Sequence, residues 1–252
     1  MTSNADDAQL GVAVVTGGSR GIGRESARLL AGRGFAVVVS SRNQGESDAV
    51  AKEITAAGGT ALGVRADVSD EGSVAALFDT TETTYGGVDV VVHAAAHAGL
   101  GRTSTVAELD LAVLDELYRT NIRGTFMVAQ QAARRVRDGG AIITFSTAVV
   151  RLAMPGYGAY SASKGAVEAL TLILARELGS RNVTVNAVAP GPTATELFLE
   201  GKDEATLSRL AAQAPSNRLG MPAEIAEVVA FLAGPAGHWV NGQVIQVNGG
   251  AL

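Results

Sequence analysis

Tyr160 and Lys164, in Tyr160-Ser161-Ala162-Ser163-Lys164, stand four residues apart. On a helix that spacing puts both side chains on one face, a turn apart. A free phenol has a pKa of about 10, and a neighbouring ammonium favours the phenolate and lowers that value. The pair could therefore exchange a proton with an alcohol or a carbonyl near neutral pH. Many helices carry a tyrosine and a lysine this way without chemistry, so the rest of the chain must supply the context.

The strongest context is Thr16-Gly17-Gly18-Ser19-Arg20-Gly21-Ile22-Gly23, between an apolar run and a helical pattern. Glycines let a backbone turn tightly and come close to a ligand. The helix that follows offers unpaired N–H groups and a positive dipole end, suited to a pyrophosphate. An ordinary strand-to-helix turn is the plain alternative, and position in the first strand-turn-helix unit favours a dinucleotide site. The second strand ends in Ser40-Ser41-Arg42-Asn43, with no acid at its tip. A carboxylate there would bind the adenosine ribose 2′-hydroxyl and select NAD. Ser41 holds that place instead, Arg42 follows it, and Arg20 can approach the same pocket. Two guanidinium groups suit a 2′-phosphate, so NADP(H) is the expected cofactor. Asp67 and Val68, after the third strand, could hold the adenine, although Asp67 could equally cap the helix near Ser69 and Asp70.

These motifs need a scaffold, and the pattern provides one. Apolar runs at Val12–Val15, Val37–Val39, Leu62–Val64, Val88–Val92, Ala141–Phe145, Val183–Val188 and Val244–Val247 are continuous rather than alternating, as in strands buried on both faces. Helical patterns separate them at Gly21–Arg33, Glu46–Ala57, Glu71–Tyr85, Leu111–Arg137, Tyr160–Gly179 and Pro222–Ala233. The expected fold is α/β: one doubly wound parallel sheet with helices on both faces. Ligands bind such sheets beyond the carboxyl ends of the strands. Residues 1–9 read as a flexible leader and 10–252 as one dinucleotide-binding catalytic domain. The stretch from about 190 to 220, with a short helix near Glu204–Gln213, reads as a substrate loop.

Composition removes other classes. The chain has 252 residues, 47% of them hydrophobic, a formal charge of -5 and no cysteine. Disulfides, cysteine nucleophiles and cysteine-bound zinc are excluded. No basic run suggests nucleic acid, no apolar stretch approaches a membrane span, and the polar start lacks the regions of a secretion signal. A cytoplasmic protein is expected. His93, His97 and His238 lack metal-site spacing; His93 and His97 are read as polar residues at a strand end.

Taken together, from about Gly11 to Leu252, the chain resembles the short-chain dehydrogenase/reductase family. The glycine loop has that family's T-G-x-x-x-G-x-G form, and Tyr160 and Lys164 fall on its Y-x-x-x-K pair. Asn121, in Thr120-Asn121-Ile122-Arg123-Gly124, matches the helix asparagine. Pro190-Gly191 matches the P-G motif, and Val240-Asn241-Gly242-Gln243 with Val247-Asn248-Gly249-Gly250 matches the C-terminal pattern. The resemblance implies seven strands and a nicotinamide-dependent carbonyl or alcohol oxidoreductase, most like bacterial 3-oxoacyl-carrier-protein reductases and related ketoreductases. It implies that Tyr160 moves the proton, that Lys164 lowers the Tyr160 pKa and binds the nicotinamide ribose, and that Asn121 anchors a water relay. It also implies that Thr195 touches the nicotinamide carboxamide, with helix capping the competing role. A homotetramer is common in the family, and a small-molecule substrate is expected, with no nucleic-acid or membrane partner.

Two departures stand out. The family's N-N-A-G is His93-Ala94-Ala95-Ala96 here, with Ala94 and Ala95 placed beside the cofactor and His93 a candidate to replace lost hydrogen bonds. That change also motivates the alternative of a cofactor-binding regulator without activity. The family serine lies thirteen residues before the tyrosine, which is Thr147; Ser146 is adjacent but should point the other way at a strand end. Met154, Tyr157 and Leu100 are placed at the substrate rim, and Leu197, Phe198 and Leu199 in the loop above it. Arg134, Arg135 and Arg137 are a basic cluster that could dock an acyl carrier or simply end a helix in solvent.

Overall fold

The computed structural model describes residues 10–97 and 103–251. Seven parallel strands form one sheet: β1 Gly11–Thr16, β2 Phe35–Ser41, β3 Thr60–Arg65, β4 Val88–His93, β5 Val136–Phe145, β6 Thr184–Pro190 and β7 Val244–Val247, in the spatial order β3-β2-β1-β4-β5-β6-β7. The chain winds outward from β1 through β2 to β3, then crosses back to β4 on the other side of β1. That reversal opens a crevice above the carboxyl ends of β1 and β4, where Thr16 pairs in register with His93.

The valine runs lie inside because both sheet faces are covered. On one face Ala13, Val15, Val37, Val39, Val90 and Val92 pack with Leu30 of helix α1 (Gly21–Gly32), Val50 of α2 (Gln44–Ala56) and Val229 of α10 (Pro222–Ala233). On the other face Val14, Val38, Val91, Ile142 and Val185 meet Leu77 and Phe78 of α3 (Glu71–Tyr85), Val128 of α5 (Gly124–Arg135) and Leu174 of α7 (Gly158–Glu177). Full burial of such side chains contributes roughly 1.5–3 kcal/mol each, and continuous rather than alternating apolar strands are what two covered faces require.

Three elements depart from the sequence expectation. The single helix expected over Leu111–Arg137 is two: α4 (Leu111–Leu117) and α5, joined by a π-helical turn at Tyr118–Arg123, with β5 starting at Val136. The widened turn coincides with Asn121, whose amide reaches out of the helix, and with the Thr125 hydroxyl, which donates to the Asn121 carbonyl at 2.6 Å. The segment 190–220 holds two short helices rather than one, α8 (Glu196–Leu199) and α9 (Glu204–Ala211). Between β5 and α7 a further short turn, α6 (Val149–Leu152), ends on Ala153 at φ 48°, a left-handed position that a Cβ disfavours. Residues 1–9 and Leu100 lie outside the described residues.

Candidate active site

The glycine loop leaves β1 and runs under the crevice. Gly17 has φ 68°, and a Cβ on it would lie 2.6 Å from the Ala95 backbone nitrogen. A Cβ on Gly23 would lie 2.2 Å from the Gly17 carbonyl. Only glycine lets the loop fold this tightly against the end of β4. No side chain caps the start of α1 and no acid occupies its first turn, so its positive end faces the crevice unneutralised. These features fit a pyrophosphate of a dinucleotide.

One cleft of about 600 Å³ runs from this loop across the strand ends. Gly17, Ser19, Arg20, Gly21, Ile22, Gly23, Ser41, Arg42, Asp67, Val68, Ala94, Ala95, Pro190, Gly191 and Thr195 all line it, with Thr147, Tyr160 and Lys164. Two expected site residues do not. Thr16 sits behind the loop, its hydroxyl 2.7 Å from His93 Nδ1. Asn121 is buried beneath the cleft: its Oδ1 accepts from the His97 amide at 2.7 Å, and its Nδ2 donates to the His97 carbonyl at 2.8 Å and to Ser163 Oγ at 3.0 Å. Its side chain braces the strand end and α7 rather than pointing at Lys164.

At the adenosine end, Arg20 and Arg42 form no ion pair among the described residues, while an acid stands closer than the strand tip suggested. Glu46, in the first turn of α2, lines the same wall, where Ser19 Oγ donates to it at 3.0 Å and Asn43 Nδ2 at 3.4 Å. Ser41 Oγ turns back to the Asn43 carbonyl at 2.9 Å. Asp67 takes the alternative role weighed for it in part: Oδ1 accepts from the Ser69 amide and hydroxyl at 2.9 and 2.7 Å, while Asp70 caps α3. Burial pushes the Asp67 carboxyl up, but the Ser69 hydrogen bonds and the charges of Arg42 and Arg65 outweigh it and hold the group below its usual range. Thr195 likewise caps α8, accepting from the Phe198 amide at 3.2 Å, while its methyl stands near Gly21.

At the chemical end, Tyr160 lies in the first turn of α7 and Lys164 one turn on. Both candidate hydroxyls line the cleft, and their partners differ. Ser146 donates to Glu168 Oε1 at 2.6 Å, whereas Thr147 Oγ1 accepts from the Val149 amide at 3.3 Å and acts on the Tyr160 phenol to lower its pKa. The electrostatics differ from the sequence expectation. Burial pushes Tyr160 up to about 12, against a smaller lowering by Thr147, and no lowering by Lys164 appears. Lys164, with Nζ donating to the Phe145 carbonyl at 2.8 Å, is itself pushed down to about 8 by burial. Burial thus disfavours the charged form of both groups, while Lys164 stays largely an ammonium below about pH 8.

The half of the cleft beyond Tyr160 is largely apolar. Leu152, Met154 and Tyr157 form one side, and Leu197, Phe198 and Leu210 of the 190–220 segment the other. Two polar groups there were missed from sequence. Lys202 Nζ lies 4.6 Å from the Phe198 ring centroid, and Gln213 Oε1 is buried without a hydrogen-bond partner. Nothing in their spacing marks them, because a loop's own fold brings them to the cleft. The Arg134 to Arg137 cluster is nowhere near it. Arg135 pairs with Asp79 and Glu82, and Arg137 with Asp89, at the amino end of β5, opposite the cleft.

Among known proteins this architecture is that of the dinucleotide-dependent oxidoreductases. Within them, the chain belongs to the short-chain dehydrogenase/reductase family. The family model described as enoyl-(acyl carrier protein) reductase matches residues 17–251. A short-chain type dehydrogenase/reductase of Picea abies is 43% identical, over 96% of this chain and 92% of the relative. The NADPH-dependent aldehyde reductase 2, chloroplastic, of Arabidopsis thaliana is 42% identical, over 96% and 93%. A short-chain dehydrogenase of Burkholderia cenocepacia solved in complex with NADP superposes with a TM-score of 0.86 at 34% identity, over 95% of this chain and 96% of that one. No helix among the described residues is long and apolar enough to cross a membrane.

Proposed function

We propose that this chain uses NADPH to reduce a ketone or aldehyde carbonyl to an alcohol, with Tyr160 as the proton donor. The observation that carries this reading is the group of buried Thr147 and Lys164 with half-buried Tyr160 on the floor of the cleft that the glycine loop opens. The cofactor is NADP(H), in keeping with Arg20 and Arg42 at the adenosine end, an NADP-bound neighbour and an NADPH-dependent relative. When bound, it supplies the hydride.

The chain's own residues do the rest. Thr147 donates its hydroxyl to the substrate carbonyl oxygen and fixes its orientation. Tyr160 gives its proton to that oxygen as negative charge develops there, a transfer worth about 10²–10⁴-fold. Lys164 stays anchored on the Phe145 carbonyl and supports the phenol when it has lost its proton. Asn121 contributes from beneath the cleft, bracing Ser163 of the Tyr160 helix. The apolar walls around Met154 and Phe198 exclude water and favour an apolar carbonyl compound. The ion-paired arginines at the far end of β5 give acyl-carrier docking no support there. Exposed Leu172 and Ile173 on α7, with Phe126 on α5, support a homo-oligomer, which sedimentation would test.

The raised Tyr160 pKa suits the role of proton donor. A phenol pushed up to about 12 is protonated throughout the working range, ready for reduction, whereas oxidation needs the phenolate. The test is NADPH oxidation against a panel of ketones and aldehydes over roughly pH 6 to 10. Reduction is expected, falling above about pH 8 as Lys164 loses its charge. Tight NADPH binding with no turnover on any carbonyl would overturn the reading in favour of a regulator.

A further inference from the structure

We propose that His93 is a positioning residue of this active site: a neutral imidazole, protonated on Nε2, that ties the start of the glycine loop through Thr16 to the π turn through Thr125. The proposal rests on the active-site reading above and assigns that site's rigidity to one hydrogen-bonded line.

The line can be read atom by atom. Thr125 Oγ1 lies 2.6 Å from the Asn121 carbonyl, which can only accept, so the hydroxyl proton points there. His93 Nε2 lies 3.1 Å from the same Thr125 oxygen and must therefore donate to it. If the imidazole is neutral, Nδ1 is then the acceptor, and the Thr16 hydroxyl, 2.7 Å away, donates to it. The Ala95 amide approaches the Thr16 oxygen at 3.5 Å and closes the line on the backbone beside the cofactor cradle.

Three facts keep the ring neutral. His93 is buried, with 4% of its surface exposed. Both partners are uncharged hydroxyls, and Thr125 has no proton left to turn towards a second acceptor. The charged group acting on the ring is Lys164, an ammonium that opposes a second cation; burial, the larger influence, pushes His93 in the same direction, to about 3.

The geometry gives the ring two separable arms. The Thr16 arm holds the end of β1 against Ala94 and Ala95, on the cofactor side. The Thr125 arm holds the Asn121 carbonyl in the π turn, while the Asn121 amide holds Ser163, whose hydroxyl donates to the Tyr160 carbonyl at 2.7 Å. An imidazole is long enough to make both contacts. An asparagine at this position would reach the Nδ1 side alone, and a glutamine the Nε2 side alone.

The test combines a spectrum with a kinetic split. In protein labelled with 15N-histidine, one of the three histidines should keep the neutral Nε2–H pattern down to about pH 5, and that signal should vanish in His93→Asn. An Nδ1–H tautomer, or ordinary titration of that ring, would overturn the proposal whatever the enzyme's activity. Thr16→Val should raise the NADPH Kd about tenfold, and Thr125→Val should lower kcat about tenfold with Kd nearly unchanged, each the loss of a buried hydrogen bond. Variants that melt earlier yet keep wild-type Kd and kcat would reduce His93 to a structural residue and refute it. Because Kd and the spectrum need no turnover, failure of the reaction assigned to Tyr160 would register separately, in Tyr160→Phe.

Discussion

The floor and the lid of the cleft are built on opposite principles. The floor is made of strand ends and helix starts, and the polar side chains around Tyr160 are held by fixed partners: Lys164 on Phe145, Asn121 on His97, His93 between two threonines. The lid, from Thr195 to Gln213, is two short helices with no buried residue in either. It holds a cation over a ring and an unpartnered amide oxygen. Chemistry that needs tight tolerances has been placed on the rigid side. The side proposed to meet the substrate is where local opening costs least.

The sharpest way to break this contrast is to strike the floor. Tyr160→Phe should lower turnover by about 10²–10⁴-fold while leaving the NADPH Kd within about threefold, since the ring still fills its place. Titration of NADPH fluorescence alongside steady-state rates separates the two. Near-normal turnover would remove Tyr160 from the reaction.

The floor should also show in stability. His93 is held near 3, against about 6.5 unfolded. Below 6.5 the unfolded chain takes up a proton that the folded one refuses, so stability falls with decreasing pH by up to about 1.4 kcal/mol per unit until the folded pKa is passed. Denaturant melts of wild type and His93→Asn should converge as the pH falls from 6.5. Parallel curves would mean that the ring is charged in the native state.

The adenosine end lies between the two extremes. Arg20 and Arg42 are charged, exposed and attached to the floor's loops. Replacing both by alanine should raise the KM for NADPH roughly 10–100-fold, at about 1.5–3 kcal/mol for hydrogen bonds to a charged group less solvent screening, with NADH nearly unaffected. Equal losses with both cofactors would place the arginines elsewhere than on a 2′-phosphate.

What the sequence made legible follows the same division. The strands and the glycine loop were readable because period and turn chemistry are local properties, whereas Tyr160, Lys164 and Thr147 stood out only through the family resemblance. Thr147 was favoured over Ser146 by the family's thirteen-residue spacing and by alternation, and the Ser146 hydroxyl is engaged by Glu168. The π turn at Asn121 was not readable, since its cause is a set of hydrogen bonds to residues far along the chain. The rise of the Tyr160 pKa was missed for a related reason: spacing reports that an ammonium is near, but not that burial weakens it. Lys202 and Gln213 had no sequence signal at all.

Glu46 offers the smallest and most discriminating effect. It is an acid on the wall that Arg20 and Arg42 share, tied to Ser19 and Asn43, and it would oppose a 2′-phosphate more than a 2′-hydroxyl. A solvent-exposed charge here is worth at most about 1 kcal/mol. Glu46→Gln keeps both hydrogen bonds available and removes only the charge. It should therefore tighten NADPH about two- to threefold and leave NADH unchanged, with the gain shrinking as salt is raised. The same substitution should not alter kcat, because the floor beneath Tyr160 does not depend on it. A change in kcat would mean that the two ends of the cleft are coupled, and that the floor is less rigid than its hydrogen bonds imply.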